Sequence, residues 1–102
     1  MIHVVAHIGT KPGKRESVLR EFALIVPVVR AEKGCIEYVP IIDAAGAGAL
    51  ATPLGPDAFA VVEKWETMED LRAHAAAPHM AAYGAKVRDS IASRAIHVLT
   101  AA

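Results

Sequence analysis

The chain has 102 residues with 11 basic and 11 acidic side chains, so its formal net charge is zero. No basic block is longer than Lys14-Arg15 and no apolar stretch approaches the ~18 residues of a membrane span, which argues against a nucleic-acid or membrane partner. The N-terminus has no basic region followed by a long apolar run, and the single Cys35 has no internal partner. We therefore expect a cytoplasmic protein without a signal peptide, folded as one domain over residues 1–102.

The first third of the chain predicts a strand, a turn and a helix. Residues 2–8 alternate in the manner of a strand, and residues 10–13 have turn composition. Apolar residues at helical spacing predict a helix over residues 14–32. Pro27 lies inside it and removes a backbone donor, so we expect a bend or a split there. Gly34 is suited to the helix end, because glycine accepts a positive φ.

The rest of the chain predicts three strands, a long loop and a helix interrupted before Pro78. Thr67 is suited to cap the first part of that helix, and Pro78 lies at the favoured first turn of the second part. Pro40 within a strand indicates a sheet edge or a bulge. The predicted ranges are 35–42, 58–66 and 94–100 for the strands, 43–57 for the loop, and 67–76 and 78–93 for the two parts of the helix.

The element order β-α-β-β-α-β is that of a ferredoxin-like α+β fold. In this fold the helices cover one face of an antiparallel sheet. Both faces of the predicted strands carry apolar residues, so the second face also needs a cover. Pairing of two sheets would provide it, and we therefore expect a homodimer with the architecture of an α+β barrel.

The side chains suited to chemistry are concentrated between residues 62 and 83. This stretch holds the only tryptophan, Trp65, and the carboxylate of Glu63 on the same predicted strand face. Histidine has a pKa close to neutrality, and beside a large aromatic side chain it suits a site for a flat phenolic substrate. We interpret His74 and His79 as candidate catalytic bases. Glu63, Trp65 and Tyr83 are candidate substrate-binding residues.

Each of these residues also has a structural interpretation, which the sequence leaves open. His74 could lie at the surface, and His79 could bond backbone near the start of its helix. Trp65 could belong to the core, with Glu63 paired to a nearby cation. Tyr83 could be a core residue whose hydroxyl is solvated.

Three further histidines, His3, His7 and His97, lie on the first and last predicted strands. Alternation along those strands could bring them near one another. Their spacing is not a known ligand signature, and no cysteine or acidic residue joins them. We therefore expect no metal site.

Several short segments together resemble the antibiotic biosynthesis monooxygenase family, and within it the bacterial quinol monooxygenases. The resemblance covers essentially the whole chain, including the long middle loop. The matching segments are Lys11-Pro-Gly13, Ile25-Val-Pro-Val28, Glu32-Lys-Gly-Cys-Ile-Glu-Tyr-Val-Pro40, Glu63-Lys-Trp-Glu66, Leu71-Arg-Ala-His74 and Pro78-His-Met-Ala-Ala-Tyr83.

The resemblance implies oxygenation of a quinol or a related polyphenol by O2, with no flavin, haem or metal cofactor. Its partners would be a small aromatic substrate, O2 and a second copy of the chain. A deprotonated quinol is electron-rich enough to reduce O2 by itself. The protein then supplies a base, an apolar pocket and groups that hold the resulting anion.

Three alternative functions stay open at this stage. The haem-degrading branch of the superfamily uses an asparagine, a tryptophan and a histidine, but the aligned positions here are Ala6 or His7, His74 and Gly84. A non-catalytic dimeric protein that binds a small aromatic molecule is a second alternative. An isomerase or lyase that uses the same pocket is the third, because a fold does not determine a function.

Overall fold

Four strands and three helices make up the fold in the computed structural model, which describes residues 1–102. The strands are β1 (Ile2–Thr10), β2 (Cys35–Ile41), β3 (Ala58–Trp65) and β4 (Ile91–Leu99), and the helices are α1 (Arg15–Arg30), α2 (Met68–Ala75) and α3 (Pro78–Val87). The strands form one antiparallel sheet in the order β2-β3-β1-β4. The predicted ferredoxin-like α+β fold is confirmed, including the division of the second helix before Pro78.

The first helix runs through Pro27 without being split. The Pro27 ring lies on the exposed face, and the Pro27 carbonyl still accepts a hydrogen bond from the Ala31 N–H at 3.2 Å. Burial of the apolar stripe on both sides of the proline offsets the one hydrogen bond that proline cannot donate. That stripe consists of Val18, Phe22, Val26 and Val29.

The end of the last helix differs from the predicted range 78–93. α3 ends at Val87, a single 3-10 turn follows over Arg88–Ser90, and β4 begins at Ile91. Ile91 pairs with Thr10 of β1 across a register shift. Pairing in the sheet therefore decides the backbone at this point, and it overrides the local helical pattern.

The second strand lies at the edge of the sheet, as Pro40 indicated, and it ends at Ile41. The long loop that follows is held at its ends by one side chain. The Asp43 carboxylate accepts hydrogen bonds from the backbone N–H groups of Leu54 and Gly55, at 2.8 and 2.9 Å. The start and the end of the loop are therefore joined, although little of it has regular secondary structure.

One face of the sheet carries the core. The register places Val4 of β1 opposite Glu63 of β3, and Ala6 opposite Val61, so all four side chains point to this face. Side chains from α1 and α3 pack on it. Glu63 is consequently a carboxylate on an otherwise apolar, covered surface, where an unpartnered charge is costly. The core consists of Val4, Ala6, Val18, Phe22, Val26, Val29, Tyr38, Phe59, Val61, Trp65 and Val87.

The opposite face of the sheet has no helix on it. Val5 of β1 points there and is 38% exposed, and His97 of β4 pairs with it. By strand alternation His3 and His7 share this face, so these histidines lie on the side of the sheet away from the helices. The expected homodimer would bury this face and stays a prediction that a measurement of the mass in solution tests. None of the helices has the length and apolar character needed to cross a bilayer.

Candidate active site

A cavity of about 760 Å³ lies between the core face of the sheet and the helices α2 and α3. It exists because no helix covers β4. Ile96 and Val98 pair with Ala6 and Val4 and so share the core face, yet they are 51% and 48% exposed. Of the 22 residues that line the cavity, 16 are hydrophobic. This size and lining are typical of a site for a small organic molecule.

Glu63 is the only acidic residue that lines the cavity. It is 7% exposed, and its Oε1 accepts a hydrogen bond from Trp65 Nε1 at 2.9 Å. Burial raises the pKa of the Glu63 carboxyl above its usual range, although the Trp65 hydrogen bond and the nearby His74 act in the opposite direction. This carboxyl therefore holds its proton to a higher pH than an exposed glutamate does.

Trp65 does not form a wall of the cavity, in contrast to the prediction. It is fully buried behind Glu63 and is absent from the cavity lining. Its indole instead holds the Glu63 carboxyl, and its ring lies 4.8 Å from the ring of His74. Trp65 therefore positions the two polar side chains from behind.

His74 lies at the base of the cavity and is 5% exposed, so the surface interpretation is wrong. Its Nδ1 is 2.9 Å from Glu32 Oε2, and its Nε2 is 4.0 Å from Glu63 Oε1. An ionised carboxylate can only accept a hydrogen bond, so Nδ1 carries the proton when Glu32 is ionised. In the neutral ring Nε2 is then free to accept a proton on the side of Glu63.

His79 lies outside the main cavity. Its Nε2 is 2.7 Å from Glu32 Oε2, so it bonds a carboxylate and not the backbone of its own helix start. It lines a separate groove of about 160 Å³ that also includes Tyr83. The two histidines therefore contact the same oxygen from different sides, and only His74 reaches the cavity.

Glu32 is the site residue that the sequence interpretation missed. It follows α1 by two residues, and it is separated from His74 and His79 by 42 and 47 positions. Only its place in the Glu32-Lys-Gly-Cys segment of the family resemblance indicated that it mattered. No local pattern predicts which distant side chain a carboxylate at a helix end will bind.

Glu32, His74 and His79 also form a set of donors that could hold a metal. Their ligand atoms lie within 4.8 Å of one another, and two histidines with one carboxylate are a known set for divalent transition metals. None of these residues belongs to the group His3, His7 and His97 on the first and last strands. The 2.7 and 2.9 Å contacts are equally those of two N–H groups donating to one carboxylate oxygen.

Two tyrosines add hydroxyl groups to the cavity wall. Burial raises the pKa of Tyr83 to about 12, and it raises the pKa of Tyr38 further. Both hydroxyls therefore stay protonated at neutral pH, and neither is hydrogen-bonded to the protein. Phe22 contacts both rings. It is stacked on Tyr38 with 5.3 Å between the ring centroids, and it lies edge-on to Tyr83 with 5.7 Å between the centroids. Tyr38, which was not among the candidate site residues, is thus also a lining residue.

Because the Glu63 carboxyl is buried, we predict that the stability of the protein depends on pH. Because its pKa is raised in the folded protein, folding favours the protonated form. Stability is therefore lost as the pH rises from about 4.3, the ordinary value, through the folded pKa. Glu63→Gln keeps an oxygen that accepts from Trp65 but removes the charge. We expect this variant to equal or exceed the wild type in stability at pH 7, with the gain disappearing below pH ~4.

Urea unfolding of the Glu63→Gln variant between pH 4 and 8 measures this effect. Glu66→Gln is the matched control, because Glu66 is exposed and lies on the same segment. A Glu63→Gln variant that is less stable than the wild type by the same amount at every pH would contradict the expectation. Such a result would mean that the carboxyl is ionised at no cost in the folded state.

Comparison with known proteins relates this arrangement to one family. The sequence model of the family "Antibiotic biosynthesis monooxygenase" matches residues 1–86. A protein of Escherichia coli (strain K12), named "Probable quinol monooxygenase YgiN", is 41% identical over 101 residues, which cover 97% of this chain and 96% of that protein. The alignment thus extends over both chains almost completely.

Solved structures with lower identity have the same fold. PA3566 from Pseudomonas aeruginosa has a TM-score of 0.81 at 23% identity, with 99% of this chain and 93% of that chain covered. A structure described as an antibiotic biosynthesis monooxygenase has a TM-score of 0.82 at 21% identity, with 100% and 99% covered. At this identity the likeness establishes the fold alone.

Proposed function

Because the chain belongs to the antibiotic biosynthesis monooxygenase family, we propose that it oxidises a quinol or a related polyphenol with O2 and without a cofactor. Family membership and the E. coli relative support a monooxygenase. The observation that carries the choice of substrate is the pair of His74 and Glu63 at the base of an apolar cavity. A flat phenolic ring fits between the apolar walls, and its hydroxyl then meets a base.

His74 is the base in this proposal. Its Nε2 takes the proton of one quinol hydroxyl, and Glu32 stabilises the resulting imidazolium through Nδ1. The hydroxyls of Tyr38 and Tyr83 line the same cavity and can donate hydrogen bonds to an anion there. These groups would hold the quinolate in a site that is too apolar to solvate it with water.

Oxygen then reacts with the quinolate in single-electron steps, because O2 is a triplet and the quinolate is closed-shell. One electron passes to O2 and leaves a semiquinone and superoxide. The two radicals combine at a ring carbon to give a hydroperoxide. The hydroperoxide then loses water, which is formed from its outer OH group and the hydrogen on the same ring carbon. That carbon becomes a carbonyl, and the product is a hydroxyquinone. One atom of O2 enters the product and the other leaves as water.

The test is oxygen uptake by the purified protein with chemically reduced menadiol, counted only above the autoxidation rate in buffer. Absorption spectra and metal analysis of the same sample show whether a chromophore or a metal accompanies the protein. Reaction under ¹⁸O2 should label one oxygen of the product. Protein-dependent uptake with an unlabelled product and hydrogen peroxide would instead indicate a simple quinol oxidase.

Two other outcomes would move the assignment to another class of protein. Turnover that continues without O2 would indicate an isomerase or lyase that uses the same base. Thermal stabilisation by aromatic ligands with no turnover would indicate a binding protein. Uptake no faster than in buffer, across several quinols, would contradict the proposal.

A further inference from the structure

Positive charge is concentrated at the outer part of the cavity. Arg72 of α2, Arg88 after α3 and Arg94 of β4 all line it, whereas Glu63 at its base is the one acidic lining residue. The chain as a whole has equal numbers of basic and acidic side chains. The surplus of arginine is therefore a property of this cavity and not of the composition.

Two of these guanidinium groups have no partner in the protein. Arg88 and Arg94 make no ion pair and no side-chain hydrogen bond, and Arg72 only lies 3.9 Å from the exposed Glu69. Some arginines elsewhere in the chain are used structurally, although the exposed Arg20 is also unpaired. Arg30, for example, donates to the Tyr38 carbonyl at 3.2 and 3.1 Å. Arg88 and Arg94 thus line the cavity and have no partner in the protein that would compete with a ligand.

The register directs Arg94 toward the cavity. Arg94 pairs with Ile8 on β1, and Ile8 lies on the core face with Val4 and Ala6. Arg88 follows the end of α3 and approaches the same opening from the helix side. A ligand that fills the cavity therefore has polar groups of two kinds around it, the Glu63 and His74 pair at the base and guanidinium groups at the mouth.

We propose that the aromatic substrate carries an anionic substituent, a carboxylate in the simplest case, which Arg88 and Arg94 bind at the mouth of the cavity. A guanidinium group offers parallel N–H donors that match a carboxylate, and Arg72 adds to the positive field. Placed at the base, the same carboxylate would meet Glu63. The charge pattern therefore sets the orientation, with the anion outward and the reacting hydroxyl inward at His74.

This inference rests on the proposed function for the inward end of the substrate, but the anion site is tested without any reaction. The probes are naphthalene-2-carboxylate and naphthalene-2-carboxamide, which have nearly the same shape and differ in charge. Their dissociation constants are measured by calorimetry at low salt. We expect the wild type to prefer the carboxylate by about tenfold, and the preference to shrink as salt screens the charges.

Variants of the two arginines identify the source of the preference. We expect the double variant Arg88→Gln/Arg94→Gln to bind both probes equally, with circular dichroism confirming the fold. Arg20→Gln is the matched control, because Arg20 is exposed, unpaired and outside the cavity, and it should keep the preference. If the double variant does not fold, the two single variants and the salt dependence of the wild type provide the same test.

Equal binding of the two probes by the wild type would overturn the inference, as would a preference that survives in the double variant. Either result would mean that these arginines are only solvated surface charges. The outcome is independent of the proposed function. A carboxylate preference without quinol turnover would contradict only the monooxygenase assignment, and turnover of neutral quinols without any anion preference would contradict only the anion site.

Discussion

Replacing His74 by alanine should lower kcat/KM for quinol oxidation by about 10²–10⁴-fold, the usual contribution of a positioned general base. His74 is the one histidine that lines the main cavity, and Glu32 orients its ring so that Nε2 can accept the proton. Without it, the substrate hydroxyl has no neutral nitrogen base near Glu63. Oxygen uptake above the buffer rate, measured over a range of menadiol concentrations, gives kcat and KM separately.

His79→Ala is the matched control for this experiment, since both histidines bond the same oxygen of Glu32. His79 contacts no part of the main cavity, so its loss removes one hydrogen bond worth about 1 kcal/mol, or less than about tenfold in rate. Glu32→Gln removes the charge that orients His74, and we expect a loss of roughly 10- to 150-fold. A His79→Ala variant as inactive as His74→Ala would contradict the assignment of the base.

Gly34→Ala should lower the free energy of unfolding by about 2–5 kcal/mol, a large part of the stability of a small domain. Gly34 ends the connection from α1 to β2 with φ of 79°, a left-handed conformation that costs an L-residue about 1–2 kcal/mol. An added Cβ would also overlap the carboxyl group of Asp70, which is buried. Overpacking of this kind adds about 1–3 kcal/mol.

Gly13→Ala separates the two contributions. Its φ is 76°, nearly that of Gly34, but nothing lies within 4 Å of the added Cβ. Only the backbone cost of about 1–2 kcal/mol is expected there. In an Asp70→Gly background, which removes the Asp70 Cβ as well as the carboxyl group, the cost of Gly34→Ala should fall to that same level. Urea unfolding followed by the fluorescence of the buried Trp65 measures the wild type, the two glycine variants, the Asp70 variant and its Gly34→Ala double variant. Equal losses for Gly13→Ala and Gly34→Ala would contradict the role of Asp70.

The candidate site is partly readable from the sequence. Glu63, His74 and Tyr83 are residues that their chemistry singled out, and the structure places all three at the cavity. Trp65 shares a strand face with Glu63, as alternation predicted, yet it lies behind the carboxyl. Which of two neighbours on a strand faces a cavity depends on where the helices dock, and strand alternation holds no information about that.

The histidines show a similar limit. His74 and His79 belong to different helices, because Pro78 starts a new one. The change of direction between the two helices puts one ring in the cavity and the other in a separate groove. Their common partner, Glu32, is more than 40 positions away in the chain. The pairing depends on how α1 packs beside the sheet, and that is not a property of any local segment.

The sequence by itself determined the elements whose causes are local. These features follow from residues that are close together in the chain. They are strand alternation, helical spacing, the Thr67 cap that accepts from the Asp70 N–H at 3.1 Å, and the glycine at position 34. Only the tertiary structure decided that α1 continues through Pro27, that β4 begins at Ile91, and that Glu32 links two histidines. In each of these cases burial or pairing with distant residues contributes more free energy than the local preference it overrides.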